Sequence, residues 1–148
     1  MGKFLPFIVD SERVGNIRRD YLHYLEEHPK VFDFSGFNVT LAEGLVSYGD
    51  RTAAFRPVVR MLFDAGILTG WRNEPYPVGG PWGGPHAFEI ERAAAPFFGS
   101  RAYGVHINGF LRKDDGIPMW ISRRSDDRPV SPGKLDNMIA GGQPVNLS

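Results

Sequence analysis

Cysteine is absent from this chain, lysine is scarce, and no hydrophobic run is long. Without thiols neither a disulfide framework nor a thiolate zinc site can form, which agrees with a reducing compartment. Apolar stretches such as Phe4 to Val9 are too short to span a bilayer or to serve as a secretory core. Pro6 stands where a myristoylation signal requires Ser or Thr. An excess of one charge is missing too: 17 basic and 17 acidic residues cancel, so no net field drives binding to nucleic acid or anionic membranes. These absences predict a cytoplasmic protein with neither nucleic acid nor membrane as partner.

What is present is ordinary in amount and uneven in kind. At 42% hydrophobic and 23% charged residues, the chain has the composition of a folded protein rather than a disordered one. Its 148 residues suffice for one domain, or for one small unit and part of another. Four lysines (Lys3, Lys30, Lys113, Lys134) leave thirteen arginines among the basic residues. Arginine is the better fork for phosphate, although codon usage in a GC-rich genome gives the same bias.

Phe4 to Val9 and Val14 to Ile17, around Asp10-Ser11-Glu12, predict a hairpin, and Arg19 to Glu27 a helix burying Tyr21, Leu22 and Leu25. Val31 to Glu43 predicts a second hairpin about Ser35-Gly36. Asp50 is the expected N-cap of a longer helix that buries Phe55, Val58, Val59 and Leu62 and stops at Gly66, with Pro57 kinking it or delaying its start. Pro75 to Pro85, PYPVGGPWGGP, predicts a loop: a solvated connection first, and a lid closed by Trp82 as the functional alternative. Phe88 to Ile90 predicts a strand and Arg92 to Phe98 a turn or short helix. Ala102 to Leu111 and Pro118 to Arg124 predict a hairpin around Asp114-Asp115-Gly116, and Leu135 to Ala140 a further strand ended by Gly141-Gly142.

Nucleophilic triads find no support, since the four histidines accompany no nucleophile-elbow pattern and no close metal-ligand pairing. His106, opposite Val105 and Ile107 on its strand, is expected to be a hydrogen-bonded structural residue. The remaining signal is the run Arg123-Arg124-Ser125-Asp126-Asp127-Arg128, then Ser131-Pro132-Gly133, Asp136-Asn137 and Gly141-Gly142. Strand alternation sends Arg123 and Arg124 to opposite faces, so Arg124 and Arg128 are the better pair for one pocket. Read from the residues alone, these arginines either hold a diphosphate by charge-assisted bonds or are solvated loop charges.

This run resembles the strand, loop and strand that precede the catalytic box of Nudix hydrolases and isopentenyl-diphosphate isomerases. Arg123-Arg124-Ser125, Arg128, Pro132-Gly133 and Gly141-Gly142 stand at the matching places, with Arg128 where that pattern usually has lysine. Upstream, Gly70-Trp71-Arg72-Asn73-Glu74, Glu91-Arg92-Ala93-Ala94, Phe98-Gly99 and Tyr103 to Gly109 resemble the N-terminal region of thiamin-pyrophosphokinase-associated Nudix proteins. The resemblance implies an α/β chain: an α+β N-terminal region over residues 1–99, whose role it does not define, and over 100–148 the first strands of a Nudix α/β/α sandwich. It further implies a diphosphate hydrolase acting on nucleoside-diphosphate-like or thiamin-diphosphate-like small molecules. Mg²⁺ or Mn²⁺ would be held by glutamates of a helix following the glycine pair.

The implied substrate-facing residues are Arg123, Arg124, Arg128, Asp136, Asn137, Gly141 and Gly142, with no catalytic or metal-binding residue among them. A strict count from Gly142 puts Ser148 at the first glutamate, and Asp136 is the only acidic residue after Asp127. The chain is therefore expected to be an inactive fragment that binds no metal itself. Two other classes stay open: a non-catalytic diphosphate-binding module, and a protein-interaction domain hinted at by Phe32, Phe34, Phe37 and Tyr48.

Overall fold

Alternation of apolar residues builds the first hairpin in the structure, a computed structural model that describes residues 2–34, 36–128 and 130–145. Strands β1 (Phe4–Val9) and β2 (Glu12–Arg18) pair antiparallel, and Leu5, Phe7 and Val9 turn inward. Asp10 and Ser11 both take left-handed φ, 50° and 68°, which gives the two-residue turn whose twist matches that of the strands. A 3₁₀ turn (Arg19–Tyr21) leads into α1 (Leu22–Glu26), which buries Leu25. The second hairpin, β3 (Phe32–Asp33) with β4 (Thr40–Leu41), forms as expected, although Ser35 and Ser148 lie outside the described residues. It joins β1 through a Phe7–Val39 bridge, in which the Ile8 and Val39 N–H groups donate to the Val39 and Pro6 carbonyls, both at 2.9 Å.

Helix α2 (Tyr48–Asp64) departs from expectation at its start. Ser47, not Asp50, is the N-cap: its hydroxyl accepts from the Asp50 N–H at 3.1 Å and donates to the Asp50 carboxylate at 2.7 Å. Asp50 thus sits in the first turn, where its charge suits the helix dipole. Nor does Pro57 delay the helix, which runs through it. Pro57 and Ala53, whose carbonyl would have received the missing N–H, are both exposed, so water can satisfy that carbonyl. At the other end, Gly66 and Ile67 donate to Phe63 and Leu62, closing the last turn as a Schellman motif. Arg51 is the one buried charged residue among those described. Its guanidinium meets both oxygens of Asp10 at 2.7 Å and the Leu45 carbonyl at 2.8 Å, locking the hairpin turn to the helix.

The proline-rich segment is a strand in its first half. Strand β5 (Pro75–Gly79) pairs with β6 (His86–Glu91), burying Tyr76 and Val78 between prolines. Residues two apart present their backbone to the same edge, so Pro75 and Pro77 both face away from β6, where no N–H is required. In agreement, the Pro75 carbonyl accepts from the Val145 N–H at 2.7 Å. Only residues 80–85, with Trp82 exposed, form the loop. A 3₁₀ turn (Arg92–Ala94) and α3 (Ala95–Phe98) follow, ending at Gly99 with φ 58°. There the main chain touches β2 so closely that a Cβ at Gly99 or Gly15 would strike the Asn16 or Phe98 carbonyl oxygen.

The described residues divide into two units: one up to Ala102 together with Pro144 and Val145, and Tyr103–Gln143. All the buried residues belong to the first. Phe55 is its centre, with ring centroids of Phe88, Phe32, Phe98 and Phe7 at 4.3, 5.2, 5.3 and 6.1 Å. Of the four N-terminal aromatics considered for an interaction surface, Phe32 is core, Phe34 packs against the core, Tyr48 is partly exposed and Phe37 is 75% exposed.

The second unit contains β7 (Gly104–Ile107), β8 (Ser122–Arg123), β9 (Leu135–Asp136) and β10 (Ile139–Gly142). Its expected hairpin is present as an irregular ladder: Phe110 bridges Met119 and Lys113 bridges Gly116 around the Asp114-Asp115 turn, and the Trp120 and Leu111 N–H groups donate to the Gly109 and Pro118 carbonyls at 2.8 and 3.0 Å. Its two ends pair elsewhere, β7 with β10 and β8 with β9. The single strand expected over Leu135 to Ala140 is two, broken at Asn137-Met138. Apolar alternation and the turn identified that hairpin but not the β7–β10 and β8–β9 pairs, because pairing in this unit is not fixed by a buried face.

The Arg51–Asp10 pair yields a prediction. Hydrogen bonding to Arg51, the largest influence, holds the Asp10 carboxyl below its usual value. Its contribution is therefore complete at neutral pH and is lost as pH falls through that lowered value. Asp10→Asn should cost about 1–2 kcal/mol at neutral pH, discounted because Asp10 is itself largely exposed, and less at about pH 3. Urea midpoints at both pH values check this; an equal loss at both would refute it.

Candidate functional site

The arginine run closes a loop. Ser122 stands opposite Asp136 and Arg123 opposite Leu135, and the Arg124 N–H donates to the Lys134 carbonyl at 2.9 Å, so β8 and β9 bring the ends of the 124–134 segment together. Both adjacent arginines then serve that segment. Arg124 donates from Nη1 to Asp136 Oδ2 at 2.5 Å, and from Nε and Nη2 to the Val130 carbonyl at 3.2 and 3.0 Å. Arg123 donates from Nη2 to Asp126 at 2.9 Å and from Nε to the Gly133 carbonyl at 3.1 Å. At Gly133, with φ 67°, a Cβ would crowd that Arg123–Asp126 pair. Arg128 differs. Its N–H donates to the Ser125 carbonyl at 3.2 Å, while its exposed guanidinium has no partner among the described residues.

Asp136 and Asn137 link this loop to β7 and β10. Hydrogen bonds from Arg124 first, and from the Asn137 N–H second, hold the Asp136 carboxyl below its usual range, so it is ionised at neutral pH. The Asn137 amide meets Asn108 Oδ1 at 2.5 Å through Nδ2 and His106 Nδ1 at 2.8 Å through Oδ1, and its carbonyl accepts from Ser122 Oγ at 2.6 Å. His106 is thus the hydrogen-bonded residue expected. Asn108 and Ser122 are members that the sequence reading did not single out. The β7–β10 pairing places Asn108 near Asn137, and that pairing carries no local sequence signal.

Gly141 and Gly142 are the last two residues of β10, as expected, and they stand opposite Val105 and Gly104. A Cβ at Gly104 would approach the Gly141 oxygen at 3.0 Å, so small residues let these strands come together. Of the seven candidate residues, the structure therefore joins Arg124 with Asp136 and Asn137, turns Arg123 onto the loop's backbone, leaves Arg128 reaching outward, and places the glycine pair in a ladder. Among the described residues, no three His, Asp or Glu side chains are arranged to hold a metal ion, and no helix is long and apolar enough to cross a membrane.

An α+β unit centred on phenylalanines, followed by short strands carrying an arginine-braced loop, defines the class of this chain. It belongs to the family described as a domain of unknown function, DUF4743, whose model matches residues 1–102. Over its whole length it is related to proteins named Nudix hydrolases: it is 41% identical to Nudix hydrolase 24, chloroplastic, and 40% identical to Nudix hydrolase 20, chloroplastic, both of Arabidopsis thaliana. It spans 41% and 42% of the length of those relatives. An uncharacterized protein of Saccharomyces cerevisiae, YJR142W, is 42% identical over 51% of this chain and 22% of its own length.

These relatives overturn the expectation of a cytoplasmic protein, since both that match throughout are chloroplastic. Short apolar runs and missing thiols argue against membrane spans and disulfides, and neither distinguishes cytosol from plastid, whose targeting segments are amphipathic rather than apolar.

The loop geometry separates bracing from reaching arginines. Arg124→Ala removes the contacts that tie Val130 to Asp136 and should speed limited proteolysis within residues 125–134 by about tenfold, a loss near 1.4 kcal/mol of local closure. Arg128→Ala should leave that rate unchanged. Equal effects of the two substitutions would contradict the assignment.

Proposed function

We propose that Tyr103–Gln143 forms the opening strands of a metal-dependent diphosphate hydrolase domain, with Arg128 as the group that reaches the substrate's phosphates. The carrying observation is the whole-length relatedness to two proteins named Nudix hydrolases. The second unit supports the placement. Val105, Ile107, Trp120, Ile121 and Ile139 are each more than two-fifths exposed, as expected of strands whose covering layers lie in a longer protein.

In this reading the chain's residues bind and position. Arg124 and Asp136 fix the loop, Arg123 fixes its backbone at Gly133, and Arg128 presents a charged fork that forms short, charge-assisted bonds to phosphate oxygens. A divalent ion such as Mg²⁺ or Mn²⁺ would neutralise phosphate charge and activate water. The described residues do not fit that ion, so the reaction step is not built from them, and the 148 residues alone are proposed to be inactive. The substrate class is a small diphosphate, nucleoside-diphosphate-like or thiamin-diphosphate-like. Resemblance supports that choice.

The test uses the full reading frame that carries these residues, assayed with Mg²⁺ against nucleoside diphosphates and thiamin-type diphosphates. The longer protein should turn over at least one of them, and Arg128→Ala should raise KM by about tenfold with kcat nearly retained. The 148-residue chain should show no turnover. Metal-dependent hydrolysis by the short chain, or an Arg128→Ala variant with unchanged KM, would refute the proposal. Saturable diphosphate binding by the longer protein without hydrolysis would favour a binding module instead.

A further inference from the structure

The DUF4743 unit holds a cleft of about 290 Å³ between α2 and the β5–β6 hairpin. Its floor is apolar, formed by Phe55, Val59 and Ile90, and Trp71 supplies an aromatic wall. That ring is fixed in place. Its indole N–H donates to Asn73 Oδ1 at 2.7 Å, Phe63 packs at 5.0 Å, and the Arg60 guanidinium lies 5.5 Å from the ring centroid.

Two carboxylates line the cleft, and their situations differ. Glu91 is occupied, accepting main-chain N–H groups of Arg72 at 2.9 Å, Glu74 at 3.2 Å and Ala93 at 3.4 Å. Glu89 accepts one bond, from the Tyr48 hydroxyl to Oε2 at 2.8 Å, and Oε1 receives none among the described residues. Burial, and then the bond to Glu89, push the Tyr48 phenol up to about 12, so it remains a donor that orients Glu89. Arg56 lines the same cleft from α2, exposed and without a hydrogen bond or ion pair among the described residues. A cation and a carboxylate oxygen therefore face one cavity without pairing with each other. Opposite charges left separate around an aromatic-walled space match a ligand that bridges them.

We propose that this cleft binds a small planar molecule with N–H donors at one edge, directed to Glu89, and an anionic group at the other, directed to Arg56, its ring lying against Trp71. The volume suits a single ring system with a short acidic arm. A ring amine bearing a carboxylate on its far side, such as an aminobenzoate, and a nucleoside monophosphate share this chemistry. The site lies wholly in the N-terminal unit, so it stands or falls independently of diphosphate hydrolysis.

The three tryptophans (Trp71, Trp82, Trp120) give separate indole N–H signals in ¹H–¹⁵N NMR spectra of the full chain. Titration with 4-aminobenzoate in one arm and adenosine monophosphate in the other should shift the Trp71 signal saturably with one of them and leave Trp120 unmoved. The arm that responds identifies the source. Glu89→Gln and Arg56→Ala should each weaken that binding about tenfold, with backbone amide dispersion confirming that both variants stay folded. No saturable Trp71 shift with either compound at millimolar concentration, or an affinity that neither substitution changes, would overturn the proposal.

Discussion

Phe55 lies within ring-contact distance of four other phenylalanines, each from a different element: Phe7 of β1, Phe32 of β3, Phe88 of β6 and Phe98 of α3. Two-stranded hairpins are marginal by themselves, and α1 and α3 have five and four residues. Their stability must come from that shared core, in which each fully buried ring contributes about 1.5–3 kcal/mol. The polar fastenings follow from it. Arg51 can be buried because Asp10, at the tip of the first hairpin, meets both ends of its fork, and α3 reaches β2 because Gly15 and Gly99 present no side chain. The cleft beneath Trp71 is the edge of the same cluster, floored by Phe55 itself.

Tyr103–Gln143 is built on a different principle. Its order comes from hydrogen bonds and ion pairs: Arg124 to Asp136 and Val130, Arg123 to Asp126 and Gly133, Asn137 to His106 and Asn108. None of its described residues is buried, and its strands alternate apolar side chains into solvent. Polar bracing without a core fixes local geometry but supplies little of the burial that stabilises a domain. This contrast is why the role proposed for Arg128 is tested in a longer protein, whereas the site proposed in the N-terminal unit is tested in this chain.

The sequence was legible wherever a local rule and burial agreed. The first hairpin, α2's apolar face and its Gly66 stop, and the α+β class all follow from periodicity and turn chemistry. Reading failed where a rule competes with an edge or with a distant partner. Prolines argued against a strand at 75–79, yet alternate prolines can share a strand's open edge. Asp50 is a good cap in general, but Ser47 precedes it and takes the position, with Asp50 as its reciprocal partner. In the second unit the hairpin about Asp114-Asp115 was visible and the β7–β10 pairing was not, because that pairing spans more than thirty residues. Side-chain types at the arginine loop were legible, but the Val130 and Gly133 carbonyls that occupy Arg124 and Arg123 carry no side-chain signature.

The central claim is that the strands of Tyr103–Gln143 are half of a structure completed by residues of a longer protein. Native-state hydrogen exchange at the β7 and β10 amides tests it most directly, compared between the 148-residue chain and the full reading frame. The account predicts exchange with little protection in the short chain, slowing by several orders of magnitude in the longer protein as the apolar faces are covered, while β1 and β6 are protected equally in both. Strong, equal protection of β7 and β10 in the short chain would contradict it.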